Sequence, residues 1–246
     1  MTEKSTTRIN KFLSEAGYCS RRVADQLISE GRVLINGKVP EMGTKITDDD
    51  EVSVDGKIIS VTKDKLIYIA FNKPVGIVCT TDVKAEKKNI IEYINYPKRI
   101  FHIGRLDKDS EGLILLTNHG DIVNKILRAR NNHEKEYLVT VDKPVTPEFI
   151  ESMQNGVPIL DTVTQKCFVE QKNKYVFRII LTQGLNRQIR RMCEYLGFGV
   201  EKLKRIRIMN IHLDMPVGKW RYLTDEELTE INRLVESSAK TFDGKE

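Results

Sequence analysis

Five charged side chains crowd one short stretch. Arg105, Asp107, Lys108, Asp109 and Glu111 fall between Phe101-His-Ile103 and Gly112-Leu-Ile-Leu-Leu-Thr117. The first flank reads as the end of an incoming strand and the second as a buried outgoing strand. Polar groups on a loop between two core strands are held by a rigid scaffold and stay open to a ligand, a common way to build an active site. The set offers carboxylate chemistry, with or without a metal. Asp107, Asp109 and Glu111 together could hold a cation for carboxylate-dependent hydrolysis of a nucleic acid, a reading that a chelator would test. Composition alone also permits a solvated turn.

A second group lies in Gln183-Gly-Leu-Asn-Arg187-Gln-Ile-Arg190-Arg191-Met-Cys193. Ile189, Met192, Cys193 and Leu196 have the spacing of a buried helix stripe, and Gly197 is its stop. Arg187, Arg190 and Arg191 then load the N-terminal half of that helix with positive charge, against its dipole. Arginines in that place either form a solvated basic face or clamp a carboxylate or phosphate through two N–H groups. Lys202, Lys204, Arg205 and Arg207 extend the basic surface: residues 186–207 hold seven Lys/Arg against two acids. Tyr137 sits where a polar loop becomes a strand, a position where aromatics usually pack.

These groups need elements to position them. Residues 1–62 read as a small separate module. Ile9, Phe12, Leu13 and Ala16 share one helical face. Ser20 is a suitable N-cap for a second helix carrying Val23, Ala24, Leu27 and Ile28. Asn36-Gly37 and Asp55-Gly56 mark two hairpin turns. Arg21 and Arg22, in the first turn of the second helix, oppose its dipole, and read either as solvated arginines of an amphipathic helix pair or as a phosphate site at a helix N-terminus. The module is electrically divided. Arg8 to Lys38 carries six Lys/Arg, Arg8 and Lys11 among them, against three acids; Glu41 to Asp55 carries six acids and Lys45. A short polar linker at 61–65 leads to a second domain, residues 66–237. Strands are expected at Leu66–Phe71 and, after Pro74, at Val75–Cys79. Thr146-Pro147 and Thr224-Asp-Glu-Glu227 open later helices, and the end from 238 reads as frayed. The order of elements implies an α+β fold, with a mainly antiparallel sheet flanked by helices.

Composition narrows the function. The chain has 246 residues, 40% of them hydrophobic and 30% charged, with a net charge of +5. No run approaches a membrane span, and the N-terminus lacks a signal peptide's apolar core, so a cytoplasmic protein is expected. Four scattered cysteines form no CxxC pair, and four scattered histidines give no metal triad. There is no phosphate-cradling GxxxxGKS loop and no GxGxxG fingerprint.

The run GRLDKDSEGLILLTNHGD, residues 104–121, resembles the catalytic motif of the RsuA-type ribosomal RNA pseudouridine synthases. The likeness extends over nearly the whole chain and is greatest to the RluF branch, which acts on large-subunit (23S) ribosomal RNA. The run from Arg8 to Lys38 resembles an S4 domain, a widespread RNA-binding module. The resemblance implies isomerisation of a uridine in RNA, with neither cofactor nor metal. It implies that Asp107 is the catalytic aspartate and that Tyr137, in Lys135-Glu-Tyr137, stacks on the target base. It implies that Arg190 pairs with Asp107 and keeps it ionised. Arg105 is expected to help hold the flipped nucleotide, and Arg8, Lys11, Arg21, Arg22, Arg187 and Arg191 to contact RNA. Asp107 could add to the base, attack the ribose or abstract a ribose proton, and the residues do not choose among these. The expected partner is ribosomal RNA, as a structured stem-loop, met by a monomer. The alternative is a non-catalytic S4-type RNA-binding protein of ribosome assembly, in which Asp107 is incidental.

Overall fold

The helix pair expected near the N-terminus forms as Ile9–Glu15 and Arg21–Ser29 in the computed structural model, which describes residues 6–60, 65–82, 85–128, 131–236 and 238. The expected linker and frayed end lie outside those residues, save Lys65 and Ser238. The chain divides into two units, Met1–Leu66 and Ile67–Glu246.

In the first unit the Ser20 hydroxyl accepts from the Val23 N–H at 3.2 Å and caps the second helix. Ile9, Leu13, Ala24, Leu27 and Ile28 pack with Val33, Val52 and Val54 of a three-stranded sheet into one small core. Asp55-Gly56 turns the hairpin Val52–Val54/Lys57–Ile58 as expected. Asn36-Gly37 also turns, with both residues at positive φ and Ile35 bonded to Lys38 in both directions at 2.8 and 3.0 Å. No ladder follows that turn, because Val33–Ile35 spends its edge on Val52–Val54.

The second unit is built on a nine-stranded sheet. Its path runs Phe168–Asn173, Val176–Leu181, Lys135–Val141, Val200–Ile208, Glu111–Thr117, Tyr68–Lys73, Trp220–Tyr222. Along it, only Val200–Ile208 against Glu111–Thr117 is parallel. Period-two alternation sorts the side chains to two cores. Ile69, Phe71, Ile114 and Leu116 join Phe149, Met153, Ile189 and Met192 on one face, under the helices Pro147–Asn155 and Gln188–Tyr195. Tyr68, Ala70, Leu113 and Leu115 join Ile122, Ile126, Ile231 and Val235 on the other, under Gly120–Leu127 and Asp225–Val235. Helices on both faces explain why Leu113 to Leu116 is an unbroken apolar run. The Thr224-Glu227 capping box forms as the sequence implies. Among the described residues no helix is long and apolar enough to cross a membrane.

Val75–Cys79 is not a strand. The first strand runs on to Lys73, and Pro74, which has no N–H to donate, ends the ladder. The Lys73 amine then donates to the carbonyls of Pro74 (2.8 Å) and Ile77 (2.9 Å), which curls the segment into a turn.

Gly112 fixes the parallel pairing. It lies opposite Arg205, and a Cβ there would fall 2.3 Å from the Arg205 carbonyl oxygen, at a φ of +114°. Both the contact and the backbone conformation exclude a side chain. Gly112→Ala is therefore expected to cost more than about 3 kcal/mol, the joint scale of overpacking and backbone strain. A urea titration measures it, and a loss under about 1 kcal/mol would mean that the two strands separate easily there.

Candidate active site

The incoming strand Phe101–Ile103 and the outgoing strand Glu111–Thr117 pair antiparallel and hold the loop 104–110 between them. Hydrogen bonds from several directions fix the loop. Ser110 N–H donates to Asp107 C=O at 3.1 Å, and Gly76 N–H to Lys108 C=O at 2.7 Å. Leu106 N–H donates to the Cys79 Sγ at 3.4 Å, and Arg190 reaches the loop from its helix. The Lys73 amine, fully buried beneath, is held down in pKa by that burial, against the opposing pull of Cys79, Asp107 and Asp109.

Asp107, Arg105, Tyr137, Arg187 and Arg190 all line one cleft of about 530 Å³. Arg105 is exposed at its lip. Tyr137 is buried in the strand Lys135–Val141 and packs in the larger core. Lys135, two residues earlier on the same face, donates to Thr182 C=O at 3.1 Å. Burial, then the charge of Arg205, pushes the pKa of its amine down to about 8.

The arginine beside Asp107 is Arg187, not the Arg190 expected there. Arg187 lies 3.5 Å from Asp107 and binds Asp109 through two N–H groups at 3.3 and 3.2 Å. Arg190, with 12% of its side chain exposed, does not take Asp107. It donates to Asp109 C=O and the Ser110 Oγ, both at 3.0 Å, and to Val200 C=O at 3.2 Å, and its guanidinium lies 3.5 Å from the Asp109 carboxylate. The physical reason is the backbone: Arg187 is the N-cap, with φ 49° and ψ 35°, and points away from the helical azimuth that its number suggests. Burial pushes the Asp109 carboxyl up, but the Arg187 hydrogen bond and the charges of Arg190 and Arg187 outweigh it and hold its pKa below the ordinary value.

Asp107, Asp109 and Glu111 do not converge on a common point. The first two face Arg187, and Glu111 pairs with Lys204 at 3.2 Å. Among the described residues no group of three or more His, Cys, Asp or Glu is placed to hold a metal. The arrangement therefore presents a carboxylate next to a guanidinium, with an aromatic ring in the same cleft.

Other basic residues divide as follows. Arg191 donates to Asn186 at 3.1 and 3.4 Å. Arg8, Arg21 and Arg22 are exposed in the N-terminal unit, and Lys11 pairs with Glu15 at 3.4 Å. Arg207 binds Glu136 (2.7 Å) and Glu134 (2.8 Å), and Arg205 is 4% exposed, so neither extends the basic surface. Strand alternation carries the missed signal for Arg205: it shares a face with Leu203, two residues earlier, and lies directly across from Tyr137.

Comparison with known proteins gives the following. The family described as RNA pseudouridylate synthase matches residues 67–195, and the S4 domain family matches residues 7–52. The chain is 58% identical over 97% of its length to the dual-specificity RNA pseudouridine synthase RluF of Salmonella typhi, covering 83% of that protein. It is 57% identical to the protein of that name from Escherichia coli K12, with the same coverage. It is 32% identical to ribosomal large subunit pseudouridine synthase B of Bacillus subtilis, over 96% of this chain and 99% of that one. A crystal structure of a pseudouridylate synthase superposes with a TM-score of 0.67 at 29% identity, over 92% of this chain and 99% of that one.

Proposed function

Because the chain belongs to the RNA pseudouridylate synthase family and carries an S4 domain, its reaction is the isomerisation of uridine in RNA, and we propose that Asp107 performs it on large-subunit ribosomal RNA. The reaction breaks the bond from ribose C1′ to base N1 and makes one from C1′ to C5. The C5 proton is lost and N1 gains one, so no oxidant or reductant is consumed. The target base is flipped out to reach the cleft. Tyr137 stacks on it, Arg105 at the lip holds its phosphate or its vacated place, and Arg187 orients the Asp107 carboxylate. The observation that supports this reading is the meeting of Asp107, Arg187 and Tyr137 in one cleft. Arg190 acts one step removed, by holding Asp109 and Ser110. The large-subunit target is drawn from the relative named for that subunit.

We assign RNA capture to residues 1–62 and chemistry to residues 66–237, the two parts falling in separate compact units of the chain, and place the work with a monomer in the cytoplasm. The test uses transcripts of large- and small-subunit ribosomal RNA tritiated at uridine C5. Tritium release from the large-subunit transcript alone is expected; equal release from both, or none from the large one, overturns the assignment.

Arg21 and Arg22 serve affinity, not chemistry. Replacing both by Ala is expected to weaken RNA binding and to flatten its salt dependence by about two units of log–log slope, roughly one for each phosphate no longer neutralised. A filter-binding titration across salt concentrations checks this. An unchanged slope would take this helix out of the RNA interface.

A further inference from the structure

We propose that Arg205 is a positioning residue for the isomerisation, tying the two ends of the catalytic loop together and backing the face of Tyr137. The proposal rests on the reading of Asp107 and Tyr137 given above.

Arg205 Nε donates to Leu113 C=O at 2.6 Å, and Nη1 donates to Arg105 C=O at 3.4 Å. Those carbonyls stand on either side of Asp107, one before the loop turns and one after the outgoing strand has begun. A single guanidinium thus spans the base of the loop. Its carbon also lies 6.0 Å from the centre of the Tyr137 ring, its direct partner across the strands. Loop and aromatic ring are tied to one rigid group.

The cost of this arrangement argues for a use. Arg205 is 4% exposed, its Nη2 is buried with no partner, and among the described residues no carboxylate pairs with it. A buried cation with an unmet donor is unfavourable, and it persists where the surroundings over-determine it. Gly112 supplies part of that constraint, since only a glycine lets the two strands close around the Arg205 backbone. Lysine cannot substitute: it has one nitrogen on a flexible stem, whereas the planar fork of arginine directs separate N–H groups at the two carbonyls.

The test uses the full-length chain with Arg205→Lys, Arg205→Met and, in parallel, Asp107→Asn. Single-turnover rate at saturating enzyme and RNA Kd are measured separately. Both Arg205 variants are expected to lose about 100-fold in rate, the scale of a small misplacement of reacting groups. Kd is expected to stay within about two-fold, because the side chain, at the back of the cleft, is 4% exposed and spends its hydrogen bonds on protein carbonyls. A purely architectural defect would reduce the folded fraction and leave the rate of folded, bound enzyme alone. If Arg205→Met does not fold, Arg205→Lys, which keeps the charge, decides. Adding Tyr137→Leu to Arg205→Lys should cost less than the product of the two separate losses, since both act through the same ring. If Asp107→Asn is inactive while Arg205→Lys keeps the wild-type rate, this proposal alone falls. If Arg205→Lys loses affinity in step with rate, Arg205 is an RNA contact and the proposal again falls. If Asp107→Asn keeps its activity, the reading of the cleft falls and takes this proposal with it.

Discussion

Asp107→Asn is expected to lower the single-turnover rate of pseudouridine formation by about a thousand-fold or more, the scale of removing a group that acts at the reacting centre. Asparagine keeps the shape of the side chain and its place on the loop. It cannot carry the negative charge that the Arg187 guanidinium, 3.5 Å away, is set to orient. The substitution should leave the fold intact. Asp107 has 35% of its side chain exposed and Arg187 41%, so their pairing is a surface-type interaction worth under about 1 kcal/mol. RNA affinity should hold within about two-fold, because the cations and the S4 domain are untouched. Tritium release measures the rate and a melting curve the fold. A variant within ten-fold of the parent rate would remove Asp107 from the mechanism.

Arg190→Met is expected to cost about 2–4 kcal/mol of stability, and Arg187→Met under about 1 kcal/mol. The two arginines are three residues apart and differ in burial. Arg190 is mostly enclosed and donates to Asp109 C=O, Ser110 Oγ and Val200 C=O. Methionine would leave Ser110, itself 1% exposed, and the carbonyls short of a partner. Arg187 is open to solvent, and its effect should appear in the pH dependence. Asp109 has a folded-state pKa below its ordinary value, so its pairing adds stability above the unfolded carboxylate range, and that stability is lost as pH falls through the folded value. The gap between parent and Arg187→Met should therefore be full at neutral pH and close below about pH 4. Denaturant titrations at neutral and acid pH check both statements. If the two variants match in stability and in pH response, Arg190 is not the anchor of the loop.

The loop itself is legible from the residues, because Asp107 and its neighbours stand between two apolar strands whose pairing needs nothing beyond their pattern. Ser20, Thr146 and Thr224 mark their helices because an N-cap is a local bond. Direction is harder to read. The helical spacing that places Ile189, Met192 and Cys193 inside says nothing about Arg187, which sits before the helix in a left-handed conformation. Arg205 reads as surface because arginines are seldom buried, although its strand register points it inward. Val75–Cys79 has the composition of a strand, and the buried Lys73 amine, which no local pattern announces, bends it into a turn. Each miss comes from a contact made across the fold or from one unusual backbone angle.

The most direct test of the central claim is a nucleotide-resolution map of pseudouridine in an unmodified large-subunit ribosomal RNA transcript, after incubation with the wild-type protein and with Asp107→Asn in the presence of a chelator. New pseudouridine in a stem-loop is expected with the wild type, none with Asp107→Asn, and no strand breaks with either. A wild-type protein that leaves the transcript unmodified, or an Asp107→Asn variant that modifies the same position, would contradict the claim.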